Sequence, residues 1–258
     1  MKPVKKLLIL LLALMALLSA ASAEELLTLS EPLEGVYCWP EDRVENTASY
    51  GYRYSYPQVA GESEAAELIN TLFANEVDFA LDFRIPMEVS DLDLTSGAQV
   101  YTNISYEITC LNERYLSVLI TRESSQGPSI ATNITGHTFA LGGDASSGAE
   151  TNLPYLLGLL DGEDATNEFL QNRQTAKADN CVRGLIWAII EEQMADGSVA
   201  FDPDLTRENF DERFFPETAF YLDADGNPVF YLQEGSIALP FEGILRYPFS
   251  MEELLDEI

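Results

Sequence analysis

The strongest constraint on the fold is the stretch AQVYTNISYEITCLNERYLSVLITR, residues 98–122. Apolar or weakly polar side chains fall at every second position over 100–110 and again over 116–120. Between these runs, Asn112-Glu113 is typical of a turn. Period-two alternation on both sides of a short turn predicts a β-hairpin. The hairpin must belong to a sheet whose apolar face is covered by another layer.

A second strand is indicated by ASYGYRYSYP, in which four tyrosines occupy every second position before Pro57. Two interpretations of this tyrosine row are open: a binding surface, or a face packed beneath a helix. We favour packing, since aromatic rows usually contribute buried contact area. The next segment, ESEAAELINTLFANEVDFA, has apolar residues at helical spacing and acids near its start. We expect this helix to cover the tyrosine strand.

Further patterns complete the predicted elements. Strands are expected at 36–38, within 129–141, at 218–222 and 228–232, and within 236–249, and helices at 151–160, 167–174, 178–194 and 250–258. The last helix begins with Ser250 as N-cap and has Glu253 in the position of a capping box. The order of elements predicts an α+β fold with mostly antiparallel sheets covered by helices, in two intimately packed modules. The glycine-rich segment 142–150 is the best internal boundary.

The N-terminus has the layout of a secretory signal peptide. Three lysines precede an apolar run from Leu7 to Leu18, and Ala21-Ser22-Ala23 follows. Residues 1–23 are therefore expected to be removed and the remainder to be secreted or extracytoplasmic. An apolar run of about 12 residues is short for a membrane span, which needs roughly 20. An uncleaved anchor is the alternative, because the small residues up to Ala23 lengthen the segment.

Charge limits the classes of partner. All 43 acidic residues follow Ala23, where only Lys177 and ten arginines oppose them, so cleavage would change the net charge from −29 to −32. Such a surface repels phosphates, which disfavours nucleic-acid binding. A negative field can attract a cationic protein, peptide or metal. The simpler interpretation is that the acids, which are spread along the whole chain, keep an exported protein soluble.

The residues needed for common catalytic sites are scarce. His137 is the only histidine, and the sequence has no GxSxG, GxxxxGK, CxxC or HExxH pattern. We therefore assign no catalytic, cofactor-binding or metal-binding residue, and the binding face is unknown. Paired carboxylates remain an alternative, because 43 acids make some close pair inevitable. The cysteines Cys38, Cys110 and Cys181 allow at most one intrachain disulfide, and three buried thiols are the other interpretation.

The stretch YLDADGNPVFYL, residues 221–232, raises the question of a calcium loop. In an EF-hand the glycine occupies the sixth position of the loop. Counted from Asp223, glycine falls at the fourth position, so the spacing does not fit. We expect a hairpin turn in which Gly226 adopts a positive φ and aspartate side chains accept hydrogen bonds from local backbone amides.

Several segments, in order, resemble a known extracytoplasmic region. They are Tyr56-Pro57-Gln58 before a helix containing Ile69-Asn70, the strand endings YLSVLIT and HTFAL, the late aromatic hairpin, Pro240-Phe241 with Gly243, and Pro248-Phe249. Together they resemble the two-part region of RsiV-type anti-sigma factors and PdaC-type peptidoglycan deacetylases of Gram-positive bacteria, over about residues 34 to 255. The resemblance implies an N-terminal PdaC/RsiV-like α+β module at 24–148 and a C-terminal RsiV-like α+β module at 149–258.

The resemblance has limits that shape the functional expectation. Only six residues precede Leu7, so we expect no sigma-binding segment, and no length remains for a deacetylase domain. The turn after the central hairpin, which contains glycine and histidine in the relatives, is SSQGPSIA here. We expect a secreted, non-enzymatic binding or sensing domain without a cofactor. Its partner would be a cell-wall component or a cationic protein such as lysozyme, which RsiV-type relatives bind. The alternatives are a carboxylate-dependent cell-wall hydrolase and a structural surface protein anchored in the membrane by its N-terminus.

Overall fold

The computed structural model describes residues 27–258 except 46, 93–98, 128, 143–146, 162–163 and 165. The predicted signal peptide lies outside the described residues. Two sheets contain the named strands. The larger sheet has the order β1 (Leu33–Trp39), β2 (Tyr50–Tyr56), β3 (Val100–Leu111), β4 (Tyr115–Gln126), β5 (Ser129–Ala140), and the smaller sheet the order β6 (Phe220–Leu222), β7 (Pro228–Leu232), β8 (Leu245–Pro248). The predicted α+β class is confirmed.

The helices lie between and after these strands. They are α1 (Glu64–Phe79), which continues through a π-helical turn (Ala80–Arg84) into α2 (Ile85–Ser90), then α3 (Leu153–Leu156), α4 (Glu168–Asp196), α5 (Arg207–Arg213), a 3-10 turn (Pro240–Glu242) and α6 (Met251–Glu257). Because the α1–α2 segment carries the chain across the sheet, β2 and β3 pair in parallel, whereas the other named strand pairs are antiparallel. In the part of the chain that the structure describes, no helix is both long and apolar enough to cross a membrane.

The tyrosine row of β2 is packed beneath α1, as favoured from the sequence. Tyr50, Tyr52 and Tyr56 are almost fully buried in one core cluster with Ile69 and Phe73 of α1. The ring centroids of Tyr56 and Phe73 lie 5.7 Å apart. Burial of these large side chains against the apolar face of α1 provides the main attraction between helix and sheet.

A second core forms around α4 and the smaller sheet. Ala178, Val182, Ile186 and Ile190 of α4 are fully buried in the same cluster as Phe230 of β7. Separate helices at 167–174 and 178–194 were expected, and that prediction was wrong. The two segments form one helix because the joining residues, 175–177, include neither glycine nor proline. The helix ends at Gly197, whose φ of +71° is the left-handed conformation common at helix C-termini.

Two other expectations need correction. Within 236–249 only Leu245–Pro248 forms a named strand, since Pro240 begins a 3-10 turn and Gly243 has a φ of +68°. Helix α5 was not expected. Thr206 caps it by accepting a hydrogen bond from the Asn209 backbone, and the Asn209 side chain accepts one in return from the Thr206 backbone. The expected final helix is present, with Ser250 and Glu253 in the predicted capping box.

The two sheets contact each other through β5. A Cβ atom on Gly136 would lie 1.9 Å from the backbone oxygen of Phe220, so the close approach of β6 requires glycine there. The side chain of Gln233 accepts a hydrogen bond from Ile134 N and donates one to Ile134 O, at 3.0 and 2.6 Å. Tyr231 adds a hydrogen bond from Gly136 N to its hydroxyl at 3.1 Å. These contacts tie the second sheet to the edge strand of the first.

Candidate functional site

An open groove lies at the N-terminal end of α1, with a volume of about 460 Å³. Three segments distant in the sequence form it: 27–28, 60–65 and the β3–β4 turn at Asn112-Glu113, with Leu141 and Ser147 at its side. This combination of separate segments in a concave surface is the usual setting of a ligand site.

Local hydrogen bonds hold the walls of the groove in place. The side-chain amide of Asn70 accepts a hydrogen bond from Val59 N at 2.8 Å and donates one to Val59 O at 2.9 Å, which fixes the segment leading into the groove. Ser63 then begins α1 by accepting a hydrogen bond from Ala66 N. Gly148 packs directly on Ala65, where an added Cβ would lie 2.3 Å from the Ala65 Cα. The floor of the groove therefore rests on backbone-to-backbone packing.

The ionisable residues that line the groove are Glu62, Glu64 and Glu113. No lysine or arginine is among the described residues that line it. Three exposed carboxylates around a concave surface create a negative potential that attracts cations. The chemistry of the groove is therefore suited to an ammonium or guanidinium group.

His137 is part of the packing around the larger sheet. Its Nδ1 atom lies 2.8 Å from Glu150 Oε1, and its side chain is only 15% exposed. The ring contacts Phe73 edge-on, with ring centroids 5.6 Å apart, and stacks against Phe139, with centroids 6.4 Å apart. His137 thus connects β5 to Glu150, which forms an isolated β-bridge with Phe139. His137 does not line the groove.

Asp179 on α4 and Glu217 before β6 form a pair of neighbouring carboxyl groups. Burial first, and then the hydrogen bond and negative charge of Glu217, raise the pKa of Asp179 to about 7. Asp179 Oδ1 and Glu217 Oε2 are buried without a donor in the described part of the chain. Two such acceptors side by side are satisfied when one carboxyl is protonated and donates to the other. Arg183 lowers the Asp179 pKa only partly, because it is engaged with the Phe214 carbonyl oxygen at 2.8 Å.

A third polar cluster lies beneath α2. Glu88 accepts a hydrogen bond from the Tyr50 hydroxyl at 2.5 Å and also pairs with Arg122. Burial, together with the Glu88 hydrogen bond, raises the pKa of Tyr50. The cluster joins α2 to β2 and β4, which is a structural connection between helix and sheet.

The stretch 221–232 is a hairpin turn, as predicted. Asp223 Oδ1 accepts hydrogen bonds from Asp225 N at 3.0 Å and Asn227 N at 2.8 Å, and Gly226 has a φ of +83°. Among the described residues no group of three or more histidine, cysteine, aspartate or glutamate side chains is arranged to hold a metal ion. The three cysteines are free, with Cys110 buried and the other two partly buried.

Sequence reasoning named no groove residue. Glu62, Glu64 and Glu113 do not stand out among 43 acids, and their proximity depends on how the β3–β4 turn folds against the start of α1. The Asp179–Glu217 pair belongs to the kind of close acid pair that was expected without an assignment.

The fold and the groove define an acidic α+β protein of two packed sheets with a shallow anionic surface site. No family model matches the chain, and no curated protein matches it. Two solved structures are similar to it. One is a DUF3298 family member from Bacteroides fragilis NCTC 9343, at 14% identity and a TM-score of 0.49, covering 88% of this chain and 92% of that one. The other is a DUF3298 family protein from Pseudomonas aeruginosa PAO1, at 12% identity and a TM-score of 0.46, covering 90% and 94%. Neither description names RsiV-type or PdaC-type proteins, so that resemblance remains a prediction from the sequence.

Proposed function

We propose that this protein is an extracytoplasmic, non-enzymatic binding or sensing module whose ligand carries positive charge. The observation that supports the proposal is electrostatic: among the described residues, the ionisable groups lining the groove are all glutamates, on a chain with a net charge of −29. A cationic protein or a cell-wall component with free amino groups would gain from both the long-range field and the local carboxylates. The signal-peptide layout of residues 1–23 supports export.

Lysozyme is the specific ligand that the resemblance to RsiV-type proteins suggests. Calorimetric titration of the exported chain with lysozyme, repeated at increasing NaCl concentrations, tests this partner directly. We expect an affinity that falls steeply with salt, because screening weakens attraction between exposed charges. Absence of salt-sensitive binding would remove lysozyme from the proposal.

The groove itself is tested by neutralising its walls. Glu62→Gln with Glu64→Gln removes two negative charges without changing side-chain size, and both side chains are exposed, so the fold should persist. We expect weaker binding of the cationic ligand. Glu252→Gln with Glu257→Gln is a matched control, since it removes the same charge from exposed positions on α6. Equal loss from both pairs would mean that net charge alone, and not the groove, attracts the ligand.

A carboxylate-dependent cell-wall hydrolase is the second candidate, and the Asp179–Glu217 pair is the observation that favours it. An acid with a pKa of about 7 resembles a general acid. Two features oppose this role: Asp179 is only 6% exposed, and the two groups bond to each other, whereas glycosidase carboxyls stand about 5 Å or more apart around the scissile bond. Incubation of the purified protein with peptidoglycan tests the hydrolase alternative. Turnover that is lost in Asp179→Asn would establish it.

Retention by an uncleaved N-terminus would instead make the protein a structural surface component. Mass spectrometry of the exported chain distinguishes the two fates. Glu24 as the first residue would show release and support the secreted module.

A further inference from the structure

Three large apolar side chains lie exposed on one face of the α1–α2 segment, far from the groove. Phe79, Phe83 and Met87 are 53, 60 and 68% exposed. Their spacing of four residues places them along one side of the helix, and the rings of Phe79 and Phe83 stack with centroids 5.7 Å apart. We call these three residues the α1–α2 apolar stripe.

The stripe is presented by an irregular part of the helix. Between α1 and α2 the backbone forms a π-helical turn over Ala80–Arg84, in which Ile85 N donates to Ala80 O. Single π-helical turns of this kind are frequent at functional sites. Ala80 and Ile85 are fully buried on the opposite side, so the segment packs on the sheet without using the stripe. The three exposed side chains therefore contribute nothing to the described core.

The charges around the stripe determine which kind of partner can bind there. Asp78 and Asp82 are exposed beside it and make no ion pair within the described residues. The guanidinium of the neighbouring Arg84 lies 5.6 Å from the centroid of the Phe79 ring and pairs with Glu76. A second copy of this chain would bring further aspartates against these two. An anionic lipid surface would be repelled in the same way. A partner segment that carries both apolar and cationic side chains would cover the apolar face and pair with the carboxylates.

We propose that the α1–α2 apolar stripe is a docking surface for an amphipathic, cationic segment of a protein partner, with apolar side chains on Phe79, Phe83 and Met87 and lysines or arginines opposite Asp78 and Asp82. This inference deepens the proposed binding function and rests on it. The stripe begins 15 residues after the start of α1, about 22 Å along the helix from the groove. The two surfaces can therefore be altered independently. Aromatic anchors surrounded by polar residues are the usual hot spots of protein interfaces.

The test is a titration of the full exported chain with a synthetic amphipathic helix of lysine and leucine, monitored by calorimetry. Phe79→Ser with Phe83→Ser removes the aromatic anchors from exposed positions. Phe169→Ser with Phe241→Ser is the matched control, since these phenylalanines are 78 and 76% exposed elsewhere on the surface. A peptide of the same composition with the helical spacing scrambled controls for charge alone. Circular dichroism confirms that each variant folds.

We expect the Phe79/Phe83 variant to bind the amphipathic peptide about tenfold more weakly or worse, and the Phe169/Phe241 variant to bind like the wild type. Asp78→Asn with Asp82→Asn should make the affinity for the peptide less dependent on salt concentration, while the apolar contacts of Phe79, Phe83 and Met87 remain. Unchanged affinity in the Phe79/Phe83 variant would overturn the docking surface while leaving the binding function intact. Failure of the wild type to bind the peptide would also overturn the docking surface, whereas the proposed binding function is tested separately by the lysozyme titration and the groove variants.

Discussion

Asp179, which is buried beside the partly buried Glu217, should make the stability of the protein depend on pH. Because the folded state raises the Asp179 pKa from 3.8 to about 7, it holds a proton that the unfolded chain has already lost across that range. The stabilisation from this proton is complete below about pH 4 and is lost as the pH rises to about 7. Above that pH the chain must fold with a buried negative charge beside Glu217, which Arg183 and a hydrogen bond from the Glu217 backbone offset only in part.

Asp179→Asn isolates this effect. The amide keeps the size of the side chain and can donate to Glu217, so we expect the variant to gain stability relative to the wild type as the pH rises from 4 to 7. The gain is at most about 1.4 kcal/mol per pH unit for one proton. Urea denaturation at several pH values measures it. A difference in stability between variant and wild type that does not change with pH would contradict the shared proton.

Gly136 is the position at which one missing side chain permits the two sheets to meet. Gly136→Ala should lower the free energy of unfolding by about 1–3 kcal/mol, since the new Cβ would press against the Phe220 carbonyl and the backbone of β6 would have to move. Denaturant titration measures the loss. Gly184→Ala is the control, because that glycine lies in α4 with open space around its Cα and should instead gain about 0.5–1 kcal/mol of helix stability. Equal effects at the two positions would show that β6 does not approach β5 as described.

At the scale of single elements, α6 depends on its cap. The helix has seven residues, too few to be stable alone, and Leu254 anchors it in the core around α4 and the smaller sheet. Ser250 Oγ accepts a hydrogen bond from Glu253 N at 3.2 Å, and Glu253 Oε2 accepts one from Ser250 N at 2.8 Å. Each bond satisfies an amide that the helix itself leaves without a partner.

Ser250→Ala should therefore cost about 1 kcal/mol of stability, measured by thermal or urea unfolding. Ser250→Asn retains an oxygen acceptor at the cap without placing a second carboxylate beside Glu253, and it should remain close to the wild type. A loss of the same size in both variants would indicate that the hydroxyl is needed for something other than capping.

At the scale of the whole molecule, uncompensated negative charge opposes folding. The described residues contain six ion pairs, one of them to His137, whereas the chain has 43 acidic residues. Most carboxylates therefore repel one another more than they attract neighbouring cations. This repulsion destabilises the compact folded state more than the expanded unfolded chain. Salt shortens the range of this repulsion from about 30 Å at 0.01 M to about 10 Å at 0.1 M.

We expect the melting temperature of the exported chain to rise when NaCl increases from low to moderate concentration. Choline chloride should give a similar rise, because screening does not depend on which cation supplies it. Differential scanning calorimetry measures both. A decrease would mean that the surface ion pairs stabilise the protein more than the general repulsion destabilises it.

The sequence by itself determined the elements with strong periodicity. Alternation specified the β3–β4 hairpin and the buried tyrosine face of β2, helical spacing specified α1 and the core-facing side of α4, and local turn chemistry specified the hairpin at Asp223 and the cap at Ser250. All of these depend on residues close together in the chain, where spacing and backbone preference are sufficient. Local patterns alone wrongly predicted two helices in place of α4 and did not predict α5.

Only the tertiary structure decided where charged and apolar residues meet. The groove brings Glu113 to Glu62 and Glu64, which lie 49 or more residues earlier in the chain. Asp179 faces Glu217 from another element. Phe79, Phe83 and Met87 stay exposed while their neighbours on the same helix are buried. A pattern of acids or phenylalanines is the same in a sequence whether or not the folded chain covers it. Burial, potential and pKa depend on distances through space, and those distances exist only once the sheets and helices have packed.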